Sequence, residues 1–436
     1  MNSIDRVIVW LLAVLVFVMP LQTAYIFETV GNSTQHGVVS FTLLDGIVAL
    51  LCVAAIARMA QIKKCVLNGY AKRFFMCSIL FIFFTALSVL WSSESIIALL
   101  GAARLAEALM VGCLLVAYRN YSIYFVVSLL LAATIQSFLA IWQFILQTSP
   151  AASWLGMAYH SSQQLGDAVV EVLDQRWLRA YGTLPHPNVL AALLSSALFS
   201  CASLVGRIQS KNTFFMLLGA WVVCIAGLFF TFSREVWLGT LLGIGVLVVL
   251  RKSYRFQMGV ISPSMILSLT AIMVWASLSV AYWEPLSARL GIGGWQRLEQ
   301  KSIHERLTSY ADGWSLVKSS PFLGVGMHQS LFVIEKRDSN KSEQGEKQYY
   351  QPPHNMFLLV VSELGVVGLL LFLTLIIFAF KNAWSVGGMR APIALGIVCM
   401  VVISGLFDHF YWSLQSGLFL WWIAFAFLHA DDTLHV

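Results

Sequence analysis

Long apolar runs separated by polar connections recur along nearly the whole chain. Runs able to cross about 30 Å of hydrocarbon fall near 7–24, 40–58, 74–91, 95–117, 123–146, 187–205, 213–231, 236–250, 259–281, 354–380, 391–407 and 411–429. The pattern predicts about 12 transmembrane helices in a single integral membrane domain, 1–436, an all-α polytopic fold. The first run follows Arg6 with no small-residue cleavage site after it, so a retained span is expected rather than a cleaved signal peptide. Two connections are long, 147–186 and 282–353. The second separates spans nine and ten and is expected to carry amphipathic helices. In "IHERLTSYADGWSLVKSSP" the residues Ile303, Leu307, Tyr310, Trp314 and Val317 recur at helical spacing, and Pro321 follows. Such a helix on a membrane surface would hold Arg306 near the headgroups. The hydrophilic stretch 335–348 reads as a mobile, solvated loop.

Composition supports the membrane reading. Of 436 residues, 59% are hydrophobic and 11% charged, with a mean hydropathy of +0.79, against about 25% charged in a soluble domain. The net charge of +6 therefore speaks to topology, and no nucleic-acid partner is expected. Cations cluster in even-numbered connections: Arg58, Lys63, Lys64, Lys72 and Arg73, then Arg119, then Arg207 and Lys211, then Arg251, Lys252 and Arg255, then Lys381 and Arg390. The positive-inside bias then makes both termini cytoplasmic and sends the odd connections, including both long ones, to the opposite face. Arg176, Arg179, Arg289, Arg297, Lys301 and Arg306 in the long connections break the bias. Long loops translocate regardless of charge, so these cations need a reason of their own. The cysteines, Cys52, Cys65, Cys77, Cys113, Cys201, Cys224 and Cys399, avoid the outward segments, so no disulfide framework is expected.

Four polar clusters interrupt the apolar pattern, all mapping to that outward face. Arg179, His186 and Asn188 precede the sixth span in "LRAYGTLPHPNVLAALL". Arg234 and Glu235 lie between spans seven and eight in "TFSREVW". His354 and Asn355 open the tenth span in "PPHNMFLL", and Asp408 and His409 form the turn of "LFDHFYW". Each has a plainer reading as a snorkelling anchor, a helix cap or a solvated turn. A charge at the bilayer centre costs roughly 2.5–3.5 kcal/mol on insertion scales, however, and four clusters on one face exceed what anchoring needs. Arg104 and Glu107 in the fourth span, three residues apart, are expected to pair along one helix face in a structural role.

Arginine binds phosphate bidentately and keeps its charge. Two or three arginines can thus neutralise a pyrophosphate without a metal, helped by helix N-termini after Pro187 and Pro353. A histidine can accept a hydroxyl proton near neutral pH. Together they describe attack by an alcohol with a lipid-linked pyrophosphate as leaving group. No Walker A loop, H-E-x-x-H, C-x-x-C, G-x-S-x-G or D-x-D occurs.

At this level of detail the chain resembles the bacterial O-antigen ligase and O-antigen polymerase superfamily. The likeness is carried by "LRAYGTLPHPNVLAALL", "TFSREVWLG", the pattern R-x4-A-x9-P-x2-G-x-G (Arg306, Ala311, Pro321, Gly324, Gly326) and "HNMFLLVVSELG". It spans roughly 175–430; the first five spans match only in being apolar. The resemblance implies an inverting glycosyltransferase with no metal or other cofactor, in the bacterial inner membrane with its active site facing the periplasm. It would move a glycan from undecaprenyl pyrophosphate to lipid A–core or to another glycan acceptor. On that likeness His354 is the candidate general base, and Arg179, Arg234 and Arg306 bind pyrophosphate. His186, Asn188, Asn355, Asp408 and His409 support them, His186 as a cap, with Asp408 or His409 orienting His354 or contacting sugar. Ligase and polymerase branches share this scaffold, and ligase is the expectation here. A branch that transfers to protein often adds a long C-terminal segment, whereas this chain ends eight residues after "WIAFAFL". A transporter of lipid-linked glycans is the alternative of another class. Transporters usually show internal repeats and midplane polar sites, which this sequence lacks.

Overall fold

Each apolar run carries helix in a computed structural model of the chain, which describes residues 2–30, 37–59, 69–204, 208, 210–251, 263–339, 350–386 and 390–427, except 174, 293 and 295. Cys65, the cations Lys63, Lys64, Arg207, Lys252 and Arg255, and positions 340–348 of the hydrophilic stretch lie outside the described residues. In chain order the runs become α1 (Ser3–Val18), α2 (Leu43–Met59), α3 (Gly69–Leu87), α4 (Ser95–Ala117), α5 (Ser122–Leu146), α6 (Pro187–Leu204), α7 (Lys211–Phe230), α8 (Arg234–Arg251) and α9 (Pro263–Ala281). The long connection that follows holds α10 (Trp283–Leu290), α11 (Arg297–Ser319) and α12 (Ser330–Ser339). The chain then continues as α13 (Met356–Val386), α14 (Arg390–Gly405), α15 (Phe410–Ser413) and α16 (Gln415–Phe427).

Among the described residues six stretches are long and apolar enough to cross a membrane: Lys72–Leu90, Ser95–Ala117, Arg119–Leu146, Lys211–Phe230, Pro263–Ala281 and Met356–Trp384. The chain is a multi-pass membrane protein. Among the described residues the other runs carry helix that does not meet this measure. α1 has 16 residues and stops at Val18, ahead of Pro20. The last run is cut by extended backbone at Leu414 into pieces of four and 13 residues.

The structure departs from the sequence reading in the connections. Residues 335–339 are not loop but the end of α12. Three two-stranded antiparallel hairpins, absent from an all-α expectation, fill two of the connections: β1 (Ala24–Thr29) with β2 (Val38–Thr42), β3 (Thr148–Ser149) with β4 (His160–Ser161), and β5 (Val169–Val172) with β6 (Gln175–Leu178). They satisfy backbone groups that the connections leave outside any helix. Arg104 and Glu107 do not bond each other. Arg104 donates to the Ser40 hydroxyl at 3.0 Å, and Glu107 accepts from Gln415 at 3.1 Å, so both tie α4 to other segments.

Glycines set the closest helix contacts. α8 and α14 run antiparallel, and a Cβ on Gly243 would meet the Gly396 carbonyl oxygen at 2.5 Å, one on Gly239 the Met400 oxygen at 2.8 Å. Small residues let two backbones touch this way. Gly243→Leu should therefore prise the pair apart and cost about 1–3 kcal/mol by overpacking, read as a lower Tm in detergent.

α13 breaks near its start at Gly365, where φ is +66° and ψ −172°, a conformation essentially confined to glycine. The backbone groups around the break are taken up by the connection 321–326. Val325 and Gly326 donate to the carbonyls of Ser362 and Glu363 at 3.1 and 2.8 Å, and Val366 donates to Pro321 at 2.8 Å. The P-x2-G-x-G motif thus straps the connection between α11 and α12 onto the kinked helix.

α11 lies where the amphipathic helix was expected. Ser309, Gly313, Leu316 and Val317 are its buried residues on the last three turns, whereas Ile303, Leu307 and Trp314 are 40–60% exposed. The apolar stripe therefore turns only its C-terminal end towards protein.

Candidate active site

The turn between α7 and α8 organises the cationic half of the site. Phe232 takes a left-handed φ of +47°, and the carbonyls of Thr231 and Phe232 each accept from an arginine. Arg179 Nε reaches Thr231 at 2.7 Å, and Arg289 Nε reaches Phe232 at 2.9 Å. Arg234, the first residue of α8, donates through Nη1 to the Arg289 carbonyl at 2.7 Å and through Nη2 to Glu299 at 2.9 Å. Arg289 bonds the other oxygen of Glu299. Arg234 is paired with Glu299 and not with its neighbour Glu235, which is buried with Oε1 lacking a hydrogen-bond partner.

Arg179 is delivered by β6 and a tightly held turn. Gly182 has φ +61°, and a Cβ there would sit 2.4 Å from Gln136 Oε1. Two buried glutamines of α5 hold the turn: Gln143 accepts from Tyr181 and Gly182 at 3.1 and 2.8 Å, and Gln136 accepts from Thr183 at 2.8 Å. The guanidinium is 5% exposed. Burial, then the nearby Arg289 charge, lowers its pKa to about 9, so it stays charged at neutral pH.

A hydrogen-bonded chain links this half to the histidines. Arg179 Nη2 donates to Asn188 Oδ1 at 2.6 Å, and Asn188 Nδ2 donates to Asp408 Oδ2 at 2.6 Å. Asp408 Oδ1 accepts from the His409 amide at 2.6 Å and lies 4.0 Å from His354 Nδ1. Asp408 is therefore a buried member of the network rather than a solvated turn. Burial raises its carboxyl, but His409, His354, His186 and the Asn188 amide outweigh this and hold it below the usual carboxylate range. His354 Nε2 faces Gln351 Oε1 at 2.9 Å, while Nδ1 is buried without a hydrogen bond. Burial lowers the His354 pKa, with Arg306 adding to that and Asp408 opposing it; the ring is neutral at neutral pH. Tyr310 of α11 donates to the His354 carbonyl at 2.9 Å.

The other expected residues fall around these two halves. His186 Nδ1 accepts from the Asn188 amide at 3.2 Å, and its carbonyl accepts from Val189 at 3.1 Å, which makes it a cap of α6. Burial, then Arg179, lowers its pKa to about 3. Asn355 caps α13 by accepting from Leu358 at 2.9 Å and donates to Leu406 at 3.0 Å. His409 Nδ1 meets the Ser413 hydroxyl at 2.8 Å. Arg306 is half-buried and, among the described residues, has no side-chain hydrogen bond or ion pair. Its charge bears on His354, His186 and Arg234.

His354, Asp408 and His409 have donor atoms within 4.8 Å of one another, near enough to gather round a cation. Asp408 Oδ2 and His409 Nδ1 already have protein partners, Asn188 and Ser413, so the trio reads more simply as a carboxylate set beside two histidines. Sequence reasoning missed Glu299, Gln351, Gln136 and Gln143, and counted Arg289 only as an unexplained cation. Gln136 and Gln143 were visible as polar breaks in α5; Gln351 and Glu299 gave no signal beyond their place in the long connection 282–353.

Residues 219–373 match the O-antigen ligase family model. The match runs from α7 into α13 and includes Arg234, Arg289, Glu299, Arg306 and His354. No curated protein matches the chain. Over that stretch the chain is similar to the O-antigen ligase family.

Proposed function

We propose that this protein transfers a glycan from undecaprenyl pyrophosphate to an acceptor hydroxyl at the periplasmic face of the inner membrane, as an O-antigen ligase acting on lipid A–core. Both termini are then cytoplasmic, and the connection 282–353 is periplasmic. The observation that carries the reading is the hydrogen-bonded chain from Arg179 through Asn188 to Asp408, whose other oxygen lies 4.0 Å from His354 Nδ1, so that an arginine cluster and a neutral histidine share one site.

In this mechanism Gln351 yields His354 Nε2 to the acceptor. The imidazole removes the hydroxyl proton as the oxygen attacks the anomeric carbon from the face opposite the pyrophosphate. The bond from that carbon to the pyrophosphate oxygen breaks, the leaving group keeps the electron pair, and configuration inverts. Asp408 steadies the imidazolium that forms. Arg234 and Arg306 meet the charge growing on the pyrophosphate, while Arg179, held from behind by Thr231 and Asn188, adds its field. The cations come from side chains, so no metal is needed.

Arg306→Ala should lower kcat about 100-fold, as expected for losing one donor to a developing anion, with Tm unchanged. Arg306→Lys should recover only part, since an ammonium cannot grip bidentately. Wild-type turnover by Arg306→Ala would remove Arg306 from the site. The glycolipids of a deletion strain test the acceptor. Full-length polymer held on the carrier beside bare lipid A–core identifies a ligase; a single repeat on the core identifies a polymerase of the same superfamily.

A further inference from the structure

Glu299 grips two arginines at once, one carboxylate oxygen on Arg234 and the other on Arg289. The carboxylate is 4% exposed and Arg289 is 5% exposed. Two guanidinium groups sharing the oxygens of one anion is also how arginines hold a phosphate group. Among the described residues the Glu299 carboxylate has no partner besides these arginines. The backbone beneath it is anchored separately: Glu171 of β5 accepts from Arg297 Nη2 at 2.8 Å and from the Leu298 amide at 2.9 Å. The Glu299 side chain can thus swing out while the first turn of α11 stays in place.

We propose that Glu299 is a placeholder anion. With no donor bound, it occupies the position on Arg234 and Arg289 that a pyrophosphate takes, and the arriving pyrophosphate displaces it. This rests on the pyrophosphate reading above and deepens it, making Arg289 a phosphate-binding arginine and Glu299 a positioning residue. The placeholder keeps two adjacent cations compensated while the site is empty. It also sets a threshold, because an incoming anion must hold both arginines better than a tethered carboxylate does. After transfer its return helps expel the carrier pyrophosphate.

Inorganic pyrophosphate titrated into the full-length detergent-purified protein tests this by calorimetry and by Tm. Glu299→Gln removes the competing charge at nearly constant shape, so it should bind pyrophosphate about tenfold more tightly. Its ligand-free Tm should fall, and pyrophosphate should raise that Tm by more than in the wild type. Weaker or unchanged binding by Glu299→Gln, with wild-type binding still lost in Arg234→Ala, would overturn the placeholder and leave the pyrophosphate site standing. Absence of wild-type binding, or binding indifferent to Arg234→Ala, would remove both. Should Glu299→Gln fail to fold, Glu299→Asp decides. Its shorter side chain keeps the charge but reaches the two arginines less well, so it should bind pyrophosphate more tightly than the wild type, and equal or weaker binding would refute the proposal.

Discussion

His354→Gln should cut kcat by about two to four orders of magnitude, the usual worth of a positioned general base, while leaving pyrophosphate binding and Tm near the wild type. Glutamine is close in size and can still hydrogen-bond, but it cannot take the hydroxyl proton. The pH profile supplies a second readout. Burial lowers the His354 pKa, so the base form is present at neutral pH and is lost only as pH falls through that lowered value. The acid limb of kcat should therefore lie below the ordinary histidine range of about 6.5. Asp408 opposes the lowering, so Asp408→Asn should move the limb further down and reduce kcat together. An acid limb unchanged in Asp408→Asn would separate Asp408 from the base.

Gly365→Ala should cost about 3 kcal/mol, combining a backbone conformation that only glycine adopts comfortably with a collision. Its Cβ would lie 2.1 Å from the Phe322 carbonyl oxygen and 2.5 Å from the Leu323 amide. Relief requires the 321–326 connection to lift off α13, so a large drop in Tm is expected, and that connection should become open to protease. Gly219→Ala is the matched control. Nothing lies within 4 Å of the added atom, and alanine favours helix over glycine by about 1 kcal/mol. An equal loss of Tm in both variants would show that the kink is not what holds the connection.

The helices were legible because membrane-spanning segments must satisfy their backbone internally and present apolar side chains along the whole run. Each run that reads as apolar carries helix, and α11 begins six residues before the first member of its stripe. What escaped notice depends on partners far away in the chain. Gly365 looks like any glycine in an apolar span until the 321–326 connection is seen bonded to the break. Likewise Arg234 has an acid beside it in sequence, yet it bonds Glu299, 65 residues on. Local spacing could not choose between them. The four polar clusters were recognisable as residues that do not belong in hydrocarbon. Arg179 and Asp408, 5% and 6% exposed, serve the interior of the network, where sequence alone suggested open contact with ligand or solvent.

The antiparallel contact of α8 and α14 acts as a calliper. Arg234 opens one helix and Asp408 follows the end of the other, so the two halves of the site hang from neighbouring ends of one backbone-to-backbone pair. The spacing of the Arg234 backbone from that of Asp408 is then set by main chain touching main chain. For the proposed reaction, changes around the site would then alter which glycan is accepted while this spacing stays the same.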